Sequence, residues 1–76
     1  MTPTQGMIFD AILEYREKTV ETGIDDWPTM AFLTHKFGVT RGTMSTNIKR
    51  MVDAGFLKYK GGWERGQSKK VMFINA

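Results

Sequence analysis

The chain has 76 residues, 41% hydrophobic and 25% charged, the composition of a single globular domain near the lower limit of what a hydrophobic core can hold. It has no cysteine and one histidine, His35, which excludes disulfides, thiolate metal sites, cysteine nucleophiles and histidine-rich metal centres. The net charge of +3 is unevenly spread: residues 1–38 carry three basic side chains against six acidic ones, and residues 39–76 carry eight against two, so the second half is suited to a polyanion.

The first predicted helix runs over residues 4–21. Ile8, Ala11, Ile12 and Tyr15 recur at helical spacing, with Val20 as a further contact, while Asp10, Glu14, Glu17, Lys18 and Glu21 lie around that stripe. Thr4 after Pro3 is the expected cap and Gly23 falls just past the end. Pro28 pushes Trp27 towards extended geometry, so IDDWP at 24–28 cannot continue the helix, and a short strand is expected near 26–27. Trp27 itself is expected in or near the core.

Thr29 is placed to cap a short second helix, Met30 to Phe37, with Met30, Leu33 and Phe37 inward and Gly38 ending it. Thr40 then caps a third helix reaching about Ala54, with Met44, Ile48, Met51 and Val52 inward and Gly55 closing it. After Gly55 the pattern changes to alternation. Leu57 and Tyr59 take one side of a strand, with Phe56, Lys58 and Lys60 on the other, and Val71–Ile74 forms a second strand. The glycine-rich and charged stretch GGWERGQSKK between them reads as a hairpin loop.

Several functions are set aside by what the sequence lacks. Its longest apolar runs, such as Met7–Phe9 and Val71–Ile74, are far too short to span a membrane, and MTPTQGMIFD has neither the basic nor the apolar region of a signal peptide. A cytoplasmic location is expected. GGWERG is not a phosphate-binding loop, because no Gly-Lys-Ser/Thr follows at the required spacing. No enzymatic site, cofactor, metal or small-molecule effector is expected.

Two helices joined by a glycine turn, the second with a small, polar and basic outer side, form the pattern of a helix-turn-helix, and a basic hairpin after it reads as a wing. FLTHKFGVTRGTMSTNIKRMVDAGFLKY resembles the MarR-type pattern of winged helix-turn-helix proteins from bacteria and their viruses. There a helix ends at Gly, a Gly-Val-Thr-Arg-like run opens the recognition helix, and a Gly-Phe-Leu-like run leads into the wing. IFDAI, TG and PT within residues 8–29 are similar to the DNA-binding domain of the SOS repressor LexA. The resemblance covers nearly the whole chain. It implies an α+β fold over residues 1–76, one winged helix-turn-helix domain of three helices and a β-hairpin.

Two positions differ from the pattern. Thr34 stands where many such motifs carry alanine, and Asn47 where leucine or valine is usual, so the third helix is expected to pack less tightly or to be turned slightly. Neither the long dimerisation helices of MarR proteins nor the LexA protease domain is matched.

The resemblance implies double-stranded DNA as the partner. The expected interface is the start and outer side of the third helix, Thr40, Arg41, Gly42, Thr43, Ser45, Thr46, Lys49 and Arg50, lying in the major groove. Arg41 and Thr46, read as sharing one face, are the expected base readers, and Thr43 and Ser45 the expected phosphate contacts. Gly42 costs the helix roughly 1 kcal/mol relative to alanine, a cost that close approach to DNA explains. In the wing at 58–70, Lys60, Arg65, Lys69 and Lys70 are expected on phosphates.

Trp63 is either a partner-binding side chain or a lid folded onto the wing. Phe32 either packs in an irregular core or marks a protein interface, and His35 is expected on the surface without a chemical role. A sequence-specific regulator or viral control factor is the leading expectation. The alternatives are a winged-helix protein-interaction module, such as an inhibitor of host machinery, and a non-specific architectural or replication protein. A homodimer or a protein partner stays open.

Overall fold

The computed structural model describes residues 1–61 and 69–74. Three helices, α1 (Pro3–Glu21), α2 (Met30–Phe37) and α3 (Arg41–Asp53), precede the antiparallel strands β1 (Leu57–Lys60) and β2 (Lys70–Phe73). The architecture is α+β, and its overall extents are 31 × 30 × 24 Å.

α1 begins earlier than expected. Its cap is Thr2, not Thr4: the Gln5 amide donates to Thr2 Oγ1 at 3.2 Å, and the Thr2 amide donates to Gln5 Oε1 at 3.3 Å. This reciprocal arrangement satisfies two amides at once, and Pro3 in the first helical position has a fixed φ suited to the helix and no amide to leave unpaired. The expected caps of the other helices are in place. Thr29 Oγ1 accepts from the Phe32 amide, and Thr40 Oγ1 accepts from the Thr43 amide. Gly38, at φ 63°, takes the left-handed conformation that turns α2 into α3.

The buried cluster joins Ile8, Ala11 and Ile12 of α1, Trp27, Leu33 of α2, Met44, Ile48 and Met51 of α3, Leu57 of β1 and Val71 of β2. Phe9, Met30, Phe37, Val52, Met72 and Phe73 pack around it. Val20 is not part of this core and is 59% exposed. At 100° per residue it stands about 120° round the helix from Ile8, off the stripe. Asn47 does not loosen α3, whose Met44, Ile48 and Met51 are all buried.

The hairpin pairs Leu57 with Phe73, Lys58 with Met72, Tyr59 with Val71 and Lys60 with Lys70. Leu57 and Val71 reach the core, while Tyr59, opposite Val71, stays partly exposed. No strand forms at 26–27. Instead the connector contributes one bridge further on, between Thr29 and Lys70, where the Val71 amide donates to the Pro28 carbonyl and the Met30 amide to the Lys69 carbonyl, at 2.9 and 2.8 Å. Pro28 has no amide to offer a ladder, but its carbonyl is free to accept.

Ile48 is fully buried within the core cluster. Ile48→Ala is expected to lower stability by roughly 2–5 kcal/mol through lost burial and the cavity left behind, measured by chemical denaturation.

Candidate functional site

The cap and the buried methionines decide what α3 offers to solvent. With Met44, Ile48 and Met51 fixed inward, a rotation of 100° per residue turns Gly42, Thr46, Lys49 and Arg50 outward. Ser45 occupies one flank, and Thr43 and Asn47 the other. Thr40, Arg41, Gly42, Thr43, Ser45, Thr46, Lys49 and Arg50 are all exposed, and Asn47 is half-buried.

The expected pairing of Arg41 with Thr46 on one face does not hold. Five residues at 100° each separate them by about 140°. Arg41 instead lines up with Ser45 and Lys49, and Thr46 with Gly42 and Arg50. The spacing alone carried that information.

Thr40 is held in the cap: besides accepting from the Thr43 amide, its hydroxyl donates to Thr43 Oγ1 at 2.9 Å. Thr40, Gly42, Thr43, Thr46, Asn47 and Arg50 line one open depression on the helix surface. A Cβ built on Gly42 would meet nothing within 4 Å. No internal contact among the described residues therefore demands glycine there.

The basic residues of the hairpin differ in their roles. Lys70 is ion-paired within the fold, its Nζ lying 2.5 Å from Asp26 Oδ1. This contact joins the connector to β2 and was invisible in the sequence because 44 residues separate the partners. Lys60 and Lys69 make no ion pair among the described residues, and the Lys69 ammonium stands 5.0 Å from the centre of the Tyr59 ring. Arg65 and Trp63 lie outside the described residues.

Asp26 is the hub of a polar cluster. Its carboxylate also accepts from the Tyr15 hydroxyl at 2.9 Å, and its carbonyl accepts from Arg16 Nη1 and from the Thr19 hydroxyl. Arg16 pairs with Asp25 at 2.7 Å and lays its guanidinium 4.3 Å over the Trp27 ring. The Lys70 hydrogen bond holds the Asp26 carboxyl below its usual range against the opposing effect of burial, and the Arg16 hydrogen bond lowers Asp25 likewise. The Tyr15 hydroxyl is pushed up, first because it donates to Asp26.

The acids of the connector and Glu14 are thus matched by Arg16, Lys70 and Lys18. Arg41, Lys49 and Arg50 have no ion-pair partner among the described residues. The acid on α3 is Asp53 in its last turn. Burial raises the Tyr59 hydroxyl, and the Asp53 charge adds to the shift.

Phe32 lies outside the buried cluster, 39% exposed, with its ring 5.0 Å from that of Tyr15. His35 is exposed on α2. Among the described residues no three His, Cys, Asp or Glu side chains gather as a metal site, and no helix is long and apolar enough to cross a membrane. No protein-family model, curated protein or solved structure matches the chain.

Folding favours the ionised form of Asp26, since its native pKa is depressed. That stabilisation is complete above the unfolded-state value of about 4 and is lost as pH falls through the lower native one. Asp26→Asn is expected to cost roughly 1 kcal/mol at neutral pH, modest because both ends of the ion pair are partly solvated. In acid below both values the cost should nearly vanish. Denaturation of both proteins across the acid range checks it.

Proposed function

We propose that the chain is a winged helix-turn-helix protein that binds double-stranded DNA, with α3 in the major groove and the hairpin as a wing on the phosphate backbone. In this reading α2, the Gly38 turn and α3 form the helix-turn-helix. The protein is a sequence-specific regulator or viral control factor. One observation carries the reading: the outer side of α3 is small, polar and basic, its cations are unpaired among the described residues, and Gly42 on it has no internal reason to lack a side chain. A solvated helix face gains nothing from glycine, whereas a face pressed into a groove gains room.

Hydroxyls at Thr43, Ser45 and Thr46 suit phosphate oxygens and base edges, and Arg41 at the head of the helix can give two parallel hydrogen bonds to a guanine. Lys49, Arg50, Lys60 and Lys69 supply the sequence-independent attraction. A second reading, a protein-binding module, draws support from the exposed Phe32 ring, stacked near the half-buried Tyr15. It predicts no affinity for duplex even at low salt.

The test is binding to random duplex at a series of salt concentrations. Lys49→Ala and Lys69→Ala should each flatten the log–log salt slope by about 0.9, the value for one phosphate contact. Lys70→Ala should leave the slope unchanged, since Asp26 already holds that charge. Absence of duplex binding at low salt sinks the proposal.

Gly42→Ala separates the two roles of that position. The helix should gain roughly 0.5–1 kcal/mol, because alanine is the better helix former and its Cβ meets open space. Duplex affinity should fall. A variant that melts higher and binds equally well would remove close approach at Gly42 from the account.

A further inference from the structure

We propose that Asn47 reads a base, recognising an adenine through its major-groove edge; the inference rests on the duplex-binding reading of α3. Asn47 was no part of the expected interface. It stands where the resemblance has leucine or valine, yet it shares the surface depression with Gly42, Thr43, Thr46 and Arg50.

The orientation of its side chain is set from within the helix. Nδ2 donates to the Thr43 carbonyl, one turn back, at 3.0 Å. That bond uses one of the two amide N–H groups. The second N–H and the Oδ1 oxygen have no partner among the described residues. One N–H donor and one acceptor therefore remain on a half-buried side chain whose freedom is already reduced.

This remaining pair is selective. Adenine offers an acceptor at N7 beside a donor at N6 in the major groove, so Nδ2–H meets N7 while Oδ1 accepts from N6–H. Guanine offers two acceptors, which would set its O6 against Oδ1. Thymine offers only an acceptor and cytosine only a donor, so each leaves half of the amide unmatched.

Self-bonding to the helix is the plainer explanation of an asparagine here, and it accounts for one N–H. It does not account for the choice of residue. Asparagine is a poor helix former, and an aliphatic side chain at this flank would extend the buried stripe without leaving an acceptor unpaired. Arg50, one turn further on, is free of ion pairs among the described residues and can anchor the neighbouring phosphate. Gly42 leaves room for the strand beside it.

The experiment starts with selection of a preferred site by the wild type from randomised duplexes. Each adenine of that site is then replaced in turn by 7-deazaadenine, which lacks the N7 acceptor. Affinities are measured for wild type, Asn47→Ala and Asn47→Leu. Both substitutions introduce better helix formers at a half-buried position, and thermal melting verifies that the variants are folded.

One adenine is expected at which the analogue weakens the wild type roughly tenfold or more and leaves both variants unaffected. An unselective wild type, a selected site lacking such an adenine, or an equal effect in all three proteins overturns the role of Asn47 while duplex binding by α3 stands. Wild type that binds no duplex overturns both.

Discussion

The connector between α1 and α2 is the constraint on which the arrangement of the molecule depends. An isolated two-stranded hairpin is marginal in water, and β1 and β2 are only four residues each. The connector makes good the deficit from the other side of β2. Its Pro28 carbonyl takes the Val71 amide, the Met30 amide reaches the Lys69 carbonyl, and Asp26 holds Lys70. Each backbone bond contributes about 1 kcal/mol, and together they fix the direction in which the hairpin leaves the core. The connector is itself fastened to α1 through Tyr15, Arg16 and Thr19, and the Trp27 ring packs against the Arg16 guanidinium and, at right angles, the Phe73 ring. The two strands and α3 are thereby tied into one arrangement.

The same cluster sorts the charges. Asp25 and Asp26 lie in the acidic half of the chain but are consumed internally, each by a cation. The remaining acids of α1, Asp10, Glu17 and Glu21, are exposed on the side turned away from its core stripe, which meets α3 through the buried cluster. The shortest extent of the molecule is 24 Å, about three Debye lengths at physiological salt. The outer acids consequently do little to cancel the field of Arg41, Lys49 and Arg50. A modest net charge of +3 understates how basic that face is.

Features governed by local rules were legible in the sequence. The stripes of α1, α2 and α3, the caps at Thr29 and Thr40 and the turn at Gly38 each depend on residues within one or two turns of each other. The Thr2–Gln5 capping box is equally local: Pro3 takes the first helical position rather than preceding the helix, which puts the cap at Thr2 and not Thr4. What stayed hidden was non-local. Lys69 and Lys70 are indistinguishable as neighbours in a basic loop, and only a contact across the fold assigns one to Asp26 and leaves the other over Tyr59. The third sheet contact falls beyond 26–27 for a related reason: Pro28 and Met30 supply the carbonyl and amide that meet β2, across more than 35 residues of chain.

α3 is built against its own helical preference. Gly42, Thr43, Ser45, Thr46 and Asn47 follow one another almost without interruption, and all are weaker helix formers than alanine, by up to about 1 kcal/mol for glycine. Such a segment would not hold as a helix in isolation. It is kept helical by burial of Met44, Ile48 and Met51 on its inner side and by the Thr40 cap at its start. Division of labour between the two sides explains how the outer residues can be chosen for what they present and not for what they stabilise. It also explains why the inner ones are large and fully buried: with little help from the exposed side, the core must supply the stability the helix lacks.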